Sequence, residues 1–230
     1  MVYAIGDIHG RDDCLKAAHE LIDRDAAGRD ASACLEVYIG DYIDRGPNSR
    51  QVVDRLLERD SHRRLFLLRG NHENILASFL RGQVSFEAWR AIGGLETVLS
   101  YGVDARDLLS QAKGLQPEDL AKLLPPAHVD FLQGLGDSLE IGAYQFVHAG
   151  VRPGVALENQ SIYDLTSIRE EFLKHAGDFG GIVVHGHTPA AEAEFLPNRI
   201  NIDTGAYITN RLSVLRIDAT GVSIAQARPS

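Results

Sequence analysis

The chain has 230 residues, of which 44% are hydrophobic and 24% charged, and its formal net charge is -9 at pH 7. That length is enough to bury a full hydrophobic core, and no linker composition divides it, so we expect one domain over residues 1–230. The acidic balance disfavours nucleic-acid partners, which are bound through clustered lysine and arginine.

The two cysteines, Cys14 and Cys34, are too few for a disulfide scaffold and are expected to be buried as small apolar side chains. No apolar stretch approaches the length that spans a membrane, and the first residues lack a basic segment followed by a long apolar run. We therefore expect a cytoplasmic protein without a membrane partner. Its oligomeric state is left open by the sequence.

Six short apolar runs, rich in β-branched residues, are predicted as buried strands. They span residues 2–5, 35–39, 65–68, 144–147, 182–184 and 199–202. A further pair, 212–217 and 222–225, flanks a turn signal and predicts a C-terminal hairpin.

Apolar residues with helical spacing lie between the first three strands, around Leu15 and around Val52, which is typical of parallel β-α-β units. The later strands follow one another more closely and predict mixed pairing. Residues 74–142 are rich in helical patterns and carry no strong strand signal. Pro117 can begin a helix there, and Pro125-Pro126 must end whatever precedes it. We interpret this segment as a helical excursion on the same domain, with a lid as one role for it.

Polar residues flanked by glycine follow the predicted strands at the point where each strand ends. In chain order these motifs read GDIHG from Gly6, GDYIDRG from Gly40, GNHE from Gly70, HAG from His148 and HGHTP from His185. In open sheets of this kind, ligands bind outside the carboxyl ends of the strands. The five strand ends therefore bring aspartate, asparagine and histidine side chains to one edge.

Carboxylate, imidazole and amide oxygen ligands suit divalent ions such as manganese, iron, zinc or magnesium. The glycines allow tight turns and a close approach of the backbone. An aspartate can bridge two such ions, which then sit about 3.5 to 4 Å apart and clamp both oxygens of an in-line displacement. Each motif is a weak signal alone, whereas five in order at strand ends indicate a site.

The five motifs resemble the signature series of the PPP-type serine/threonine protein phosphatases, within the calcineurin-like metallophosphoesterases. The compact bacterial and phage members of the lambda-phosphatase group are the most similar. The resemblance runs from Val2 to about Leu215, with a looser match in the helical middle. It implies an α/β fold, the four-layer αββα sandwich of the metallo-dependent phosphatases, in which two mixed sheets are flanked by helices.

The resemblance also implies a metal centre. The family's ligand positions match Asp7, His9, Asp41, Asn71, His148 and His187. The first two would hold one metal ion, the third would bridge, and the last three would hold the second ion, most simply with manganese in both positions. His185, two residues before the family's position, is expected to be a hydrogen-bonding neighbour.

The resemblance further implies the catalytic roles. His72 would protonate the leaving group, with Asp44 stabilising its cationic form. Arg45 and Arg169 would bind phosphate oxygens, as would Asn71, although a solvated arginine on a helix is the alternative for Arg169. These arginines and the metals would draw phosphate into an acidic protein. A hydroxide bridging the metals would attack phosphorus directly.

The substrate remains open among three hydrolase classes and one non-catalytic role. We expect a phosphoserine or phosphothreonine protein phosphatase, with phosphoproteins or small phosphorylated molecules as partners. Symmetrical hydrolysis of diadenosine tetraphosphate is the alternative, but enzymes of that group tend to have alanine at the position of Asp44. A nuclease is disfavoured by the net charge of -9 and a non-catalytic scaffold by the intact motifs.

Two further positions carry expectations of their own. Ile92 stands before Gly93-Gly94, where related bacterial members often have asparagine, so a polar contact from that position is not expected. Asp203 is expected to accept hydrogen bonds beside the site without binding metal.

Overall fold

Two five-stranded mixed sheets form the centre of the computed structural model, which describes residues 1–30, 33–110 and 114–229. The first sheet has the order β10-β9-β1-β2-β3, and the second has the order β4-β5-β6-β8-β7. The strands are β1 (Val2–Ile5), β2 (Leu35–Tyr38), β3 (Arg64–Leu67), β4 (Leu139–Ile141), β5 (Tyr144–Phe146), β6 (Ile182–His185), β7 (Glu194–Phe195), β8 (Arg199–Asn201), β9 (Leu212–Asp218) and β10 (Gly221–Ala227).

The helices lie between these strands in the chain. They are α1 (Asp12–Asp25), α2 (Ser49–Asp60), α3 (Asn71–Leu80), α4 (Phe86–Arg90), α5 (Gly94–Ser100), α6 (Ala105–Ser110), α7 (Pro117–Ala121), α8 (Pro126–Gln133), α9 (Ile162–Ser167), α10 (Glu170–Leu173) and α11 (Ala206–Thr209). None of these described helices is both long and apolar enough to cross a membrane.

The strand pairing agrees with the predicted β-α-β units. Strands β1, β2 and β3 are parallel neighbours, while β9 pairs antiparallel with both β1 and β10. In the second sheet β5, β6 and β8 are parallel, and β4 and β7 are antiparallel edge strands. The mixed pairing predicted for the later strands is confirmed.

Alternation along the strands divides the core into layers. In β1, Tyr3 and Ile5 face the apolar cluster that includes α1, α2 and the helical middle, whereas Ala4 faces the second sheet. In β6, Val184 faces the first sheet and Val183 packs with α9 and α10. The order helix, sheet, sheet, helix is the predicted four-layer αββα sandwich, which the structure confirms.

Residues 74–142, which carry no strong strand signal in the sequence, contain most of α3 and the helices α4 to α8, and also β4 at one end. With three residues, none of them buried, this edge strand leaves no alternating pattern. Helix α7 begins at Pro117, as predicted, and α8 begins at Pro126. Positions 111–113 of the predicted excursion lie outside the described residues. Cys14 and Cys34 are buried and unpaired, as expected.

Candidate metal centre

The loops that follow β1, β2 and β6 carry unusual backbone conformations. Among the described residues, the non-glycine positions with positive φ are His9, Asp41, Asp44, Arg45, His187 and Asn210. All but the last were predicted as site residues. Such conformations cost free energy for side chains with a Cβ and cluster at functional sites. Backbone strain is therefore concentrated at residues that the sequence predicts to be functional.

Two glycines let carboxylates enter this edge. A Cβ at Gly70 would overlap the carboxylate of Asp41, and a Cβ at Gly186 would overlap that of Asp7. Neither glycine has positive φ, so close packing, rather than turn geometry, requires them. The absence of a side chain at these two glycines thus leaves room for the aspartate carboxylates.

Two groups of buried side chains bring potential ligand atoms together. One group contains His9, Asp41 and His72, and the other contains Asp41, His148 and His187, with the atoms of each group within 4.8 Å of one another. Asp41 belongs to both groups, which is the geometry predicted for a bridging residue. The presence of His72 in the first group differs from the predicted ligand set.

The histidines beside Asp41 are oriented by the backbone. His9 donates its Nδ1 hydrogen to the carbonyl of Ile43 at 3.0 Å, and His148 donates to the carbonyl of Ile39 at 2.8 Å. The two Nε2 atoms are thereby directed at Asp41 Oδ2, each at 3.4 Å. Carbonyl acceptors of this kind fix the tautomer of metal-binding histidines.

Asn71, the first residue of α3, joins the second group. Its Oδ1 lies 2.8 Å from Nδ1 of His187 and 3.1 Å from Nε2 of His148. An amide oxygen between two imidazoles and a carboxylate provides mixed nitrogen and oxygen ligands. These ligands suit manganese, iron or zinc.

Asp7 lies beside the two groups rather than within them. Its Oδ2 accepts a hydrogen bond from the backbone of His187 at 3.0 Å, while its buried Oδ1 has no partner among the described residues. Burial, followed by the nearby Asp203 carboxylate, raises the pKa of Asp7 well above its ordinary value. A cation beside Oδ1 would relieve both features.

The protonation states of the histidines differ. Burial lowers the pKa of His9 to about 3, and burial together with the charge of His148 lowers that of His187 to about 3. Burial alone would lower the pKa of His148, but the carboxylates of Asp41 and Asp7 raise it to about 10. Two neutral imidazoles can thus bind a cation, whereas the third holds a proton.

The site leaves buried polar atoms without partners. Within the described part of the chain, Asp7 Oδ1, His72 Nε2 and His187 Nε2 are buried and make no hydrogen bond. An unpaired buried polar atom costs about 1 to 3 kcal/mol. The residues present therefore fit a bound cation or ligand, which would supply the missing partners.

His72 and Asp44 form a buried pair beside the metal ligands. The Nδ1 hydrogen of His72 is directed at Asp44 Oδ2 at 2.7 Å, and Nε2 lies 3.9 Å from Asp41 Oδ2. Burial opposes protonation, yet Asp41 and the hydrogen bond and charge of Asp44 raise the pKa of His72. The pair has the geometry of an oriented acid with Nε2 facing the cluster.

The two predicted phosphate-binding arginines border different ligand groups. Arg45 donates to His9 Nε2 at 3.0 Å, and its guanidinium stacks 4.7 Å above the ring of Tyr207. Arg169 is exposed in the link between α9 and α10 and donates to Thr188, the neighbour of His187, at 3.0 Å. Arg169 is thus not on a helix face but at the rim of the site.

Sequence reasoning missed the role of Glu73. It lies in the first turn of α3, and its buried carboxylate accepts backbone hydrogen bonds from Gly70, Asp41 and Tyr42 at 2.9 to 3.0 Å. One side chain thus joins the loop of Asp41 to the loop of Asn71. Its place in the GNHE motif was the only signal that could have found it.

His185 and Asp203 lie outside the two ligand groups. His185 contacts the carbonyl of Gly186 and Arg199 Nη1, and neither partner is a predicted ligand. Asp203 accepts a hydrogen bond from the backbone of Gly205 at 2.9 Å, and burial raises its pKa to about 6. Asp203 is therefore a buried acceptor near Asp7, as expected.

Comparisons with known proteins agree with this architecture. Over 255 aligned residues, covering 98% of this chain and 94% of the relative, a Bacillus cereus bis(5'-nucleosyl)-tetraphosphatase PrpE (asymmetrical) is 28% identical. The corresponding protein of Anoxybacillus flavithermus is 28% identical over 209 residues, covering 84% of this chain and 79% of the relative.

Solved structures share the fold at low identity. A candidate diadenosine tetraphosphatase is similar with a TM-score of 0.66 at 21% identity, covering 100% of this chain and 94% of that one. A serine/threonine phosphatase from Saccharomyces cerevisiae has a TM-score of 0.59 at 15% identity, covering 100% of this chain and 80% of the other. The family model of the calcineurin-like phosphoesterases matches residues 1–217, and the chain belongs to that family.

Proposed function

We propose that the protein hydrolyses bis(5'-nucleosyl) tetraphosphates at a centre of two divalent metal ions. The main support for a metal-dependent hydrolase is the pair of buried ligand groups that share Asp41. The substrate class is supported by relatives that match nearly the whole chain at about 28% identity and are named tetraphosphatases. This differs from the phosphoprotein expected from the motifs.

The residues divide into the following roles. Asp7, His9 and Asp41 would hold one ion, and Asp41 with Asn71, His148 and His187 would hold the other; manganese is the proposed ion in both positions. When bound, the two ions supply positive charge to the phosphate oxygens and lower the pKa of water. Asp41 stays ionised for this role, because the imidazoles of His148, His72 and His9 outweigh burial and hold its pKa well below the ordinary value.

Arg45 and Arg169 bind the outer phosphates of the polyphosphate chain. A tetraphosphate carries negative charge over a longer span than a monoester does. One arginine borders each ligand group, which suits an extended chain of phosphates, and their forked donors can bind phosphate oxygens bidentately. Tyr207 keeps the Arg45 guanidinium beside His9 by stacking on it at 4.7 Å.

Hydrolysis of phosphate monoesters, including phosphoserine and phosphothreonine, is the second candidate. The pair of His72 and Asp44 favours it, because a leaving alkoxide needs a proton more than a leaving phosphate does. The pair is therefore the feature least explained by a tetraphosphate substrate, and Asp44 remains the residue that most supports a monoesterase.

The deciding experiment compares diadenosine tetraphosphate with a phosphoserine peptide by kcat/KM, using chelated protein to which manganese has been returned. We expect the dinucleotide to be preferred by at least about tenfold, a difference of 1.4 kcal/mol in transition-state stabilisation. Product analysis separates asymmetrical cleavage, which yields AMP and ATP, from symmetrical cleavage, which yields two ADP.

A background control uses Asp41→Asn protein prepared in the same way, because a contaminating phosphatase would remain active in that preparation. Preference for the peptide would reject the tetraphosphate and leave the monoester candidate. Absence of manganese-dependent release from both substrates would reject the two-metal hydrolase itself.

A further inference from the structure

Two buried side chains of the helical segment 74–142 contact the site, and neither belongs to the proposed metal ligands or phosphate-binding residues. Trp89 on α4 and Thr97 on α5 are both fully buried and both touch the carboxylate of Asp44. The Trp89 indole donates its Nε1 hydrogen to Asp44 Oδ2 at 2.8 Å. The Thr97 hydroxyl donates to Asp44 Oδ1 at 2.6 Å. Both oxygens of the carboxylate are thereby occupied.

The donors and acceptors of this network can be assigned. Because Thr97 uses its only hydrogen on Asp44 Oδ1, its lone pairs accept from the Asp44 backbone N–H at 2.8 Å and from the Ser49 hydroxyl at 2.9 Å. One hydroxyl thus holds both the backbone and the side chain of Asp44. The φ of Asp44 is 71°, so these contacts also stabilise an unfavourable conformation.

The assignment extends to His72. Trp89 can only donate, so Asp44 Oδ2 accepts from it, and with both carboxylate oxygens acting as acceptors we assign the hydrogen of the 2.7 Å contact to His72 Nδ1. Its Nε2 is then the atom that faces Asp41, and it has no partner among the described residues. The network therefore decides which nitrogen of His72 faces a bound substrate.

We infer that Trp89 and Thr97 are positioning residues that lock Asp44 and, through it, aim His72 Nε2 at the leaving-group oxygen. This inference rests on the proposed phosphoester hydrolysis and matters most for substrates whose leaving group is an alkoxide or phenoxide, in which the Nε2 hydrogen passes to that oxygen as the phosphorus–oxygen bond breaks. The imidazole is left neutral and regains a proton from water. In this arrangement the helical segment completes the acid pair of the site.

The test measures kcat with manganese for phenyl phosphate and p-nitrophenyl phosphate, whose leaving groups differ in their need for a proton. Thr97→Val is nearly isosteric and removes the hydroxyl, whereas Thr97→Ser keeps it. We expect Thr97→Val to lose about 10- to 100-fold on phenyl phosphate, as is usual for residues that orient site groups, and much less on p-nitrophenyl phosphate. Thr97→Ser should restore both rates.

A second variant guards against a folding defect. Trp89→Phe removes the indole donor but also reduces packing against Phe79 and Phe86, whose ring centroids lie 5.3 and 6.1 Å away. Phe86→Leu loses comparable packing without touching Asp44 and is the matched control. Trp89→Phe should change the ratio of the two rates in the direction of Thr97→Val, and Phe86→Leu should leave the ratio as it is in the wild type.

A readout without catalysis uses the Nδ1 proton of His72 in the NMR spectrum, assigned by its loss in His72→Asn. We expect a strongly hydrogen-bonded, downfield resonance in the wild type and in Thr97→Ser, and its loss or upfield movement in Thr97→Val. An unchanged resonance together with an unchanged rate ratio in both Thr97→Val and Trp89→Phe would overturn the inference.

The same series separates this inference from the proposed function. If His72→Asn lowers the phenyl phosphate rate by about 10²- to 10⁴-fold, as expected for a lost general acid, the role of His72 stands. The Thr97 and Trp89 variants then test the positioning residues alone. If His72→Asn affects both substrates equally, the acid role itself fails, and the positioning role fails with it.

Discussion

Two clusters of mostly buried charged groups include residues of the first sheet or of its loops, and they differ in whether their buried polar atoms are satisfied. The site cluster surrounds Asp41 at the carboxyl ends of the strands. The second, which we name the Arg59 cluster, lies between the first sheet and its helices. It contains His19, Asp23, Glu36, Tyr38 and Arg59.

In the Arg59 cluster the guanidinium bonds to Glu36 at 2.7 and 3.1 Å and to Asp23 twice at 2.9 Å. The Tyr38 hydroxyl donates to Glu36 at 2.7 Å and lies 2.9 Å from His19 Nε2. In the part of the chain that the structure describes, none of these residues has a buried polar atom without a partner. This cluster has no need of a ligand.

The site cluster has the opposite character. It combines unpaired atoms on Asp7, His72 and His187 with positive φ at Asp41 and His187, features that cost free energy in the absence of a ligand. Burial of charge alone therefore does not identify a functional site. Unsatisfied donors and acceptors together with backbone strain distinguish the cluster built to bind.

The largest expected effect is a loss of turnover when the site cluster is altered. Asp41→Asn removes the charge shared by both ligand groups, and we expect turnover to fall by about 1,000-fold or more, the upper range for one electrostatic group. The variant should also lose the rise in melting temperature that manganese gives the wild type. Turnover and calorimetry with and without manganese provide the measurement, and a retained manganese effect would contradict a bridging role.

The next effect concerns stability in the Arg59 cluster. Arg59→Met leaves Glu36 buried without its cation, and breaking a buried pair in this way costs about 3 to 5 kcal/mol of unfolding free energy. Urea denaturation measures it, and manganese-dependent turnover of the folded fraction should stay at the wild-type level. The double variant Arg59→Met with Glu36→Gln should recover part of the loss, since the orphaned charge is removed.

The sequence predicts features that follow from local patterns better than features that depend on contacts between distant residues. Strands β1, β2 and β3 were predictable because short apolar runs end at glycine with aspartate or asparagine beside it. The edge strand β7 was not, since it has two residues and both are exposed. Positions of the expected ligands followed from strand ends, because parallel strands bring their carboxyl ends to one edge.

The partners of those residues were not predictable in the same way. The contact of Trp89 with Asp44 joins positions 45 residues apart, and that of Thr97 joins positions 53 apart. Both depend on how α4 and α5 pack, which no local pattern specifies. Arg59 likewise reads as one more charge on an amphipathic helix until Glu36 is placed opposite it.

A smaller effect concerns cation binding by the unpaired polar groups of the site cluster. Cation binding should stabilise the folded protein by about 2.7 kcal/mol at a hundredfold excess over Kd. Because its pKa of about 10 keeps His148 protonated at neutral pH, the cation must displace that proton. We expect proton release on manganese binding, and affinity that rises with pH until His148 has titrated. Calorimetry in buffers of different ionisation enthalpy measures the release, and no release would show that His148 is already neutral.

The smallest effect lies at the exposed rim of the site cluster. Arg169→Ala removes a guanidinium whose hydrogen bond, among the described residues, goes to Thr188, and we expect kcat/KM to fall about tenfold, the value of one charged hydrogen bond. Lys174→Ala is the matched control, because Lys174 is exposed at the end of the adjacent helix α10 and its loss changes net charge equally.

The two variants distinguish direct contact between Arg169 and substrate from a long-range electrostatic effect of its charge. Since exposed charges are screened by salt, a purely electrostatic contribution of Arg169 should vanish as ionic strength rises, and Lys174→Ala should then show a similar, smaller loss at low salt. A deficit confined to Arg169→Ala and persisting at high salt would place its guanidinium in contact with substrate. Equal deficits would make Arg169 a solvated surface charge, and the functional site would then end at the buried ligand groups.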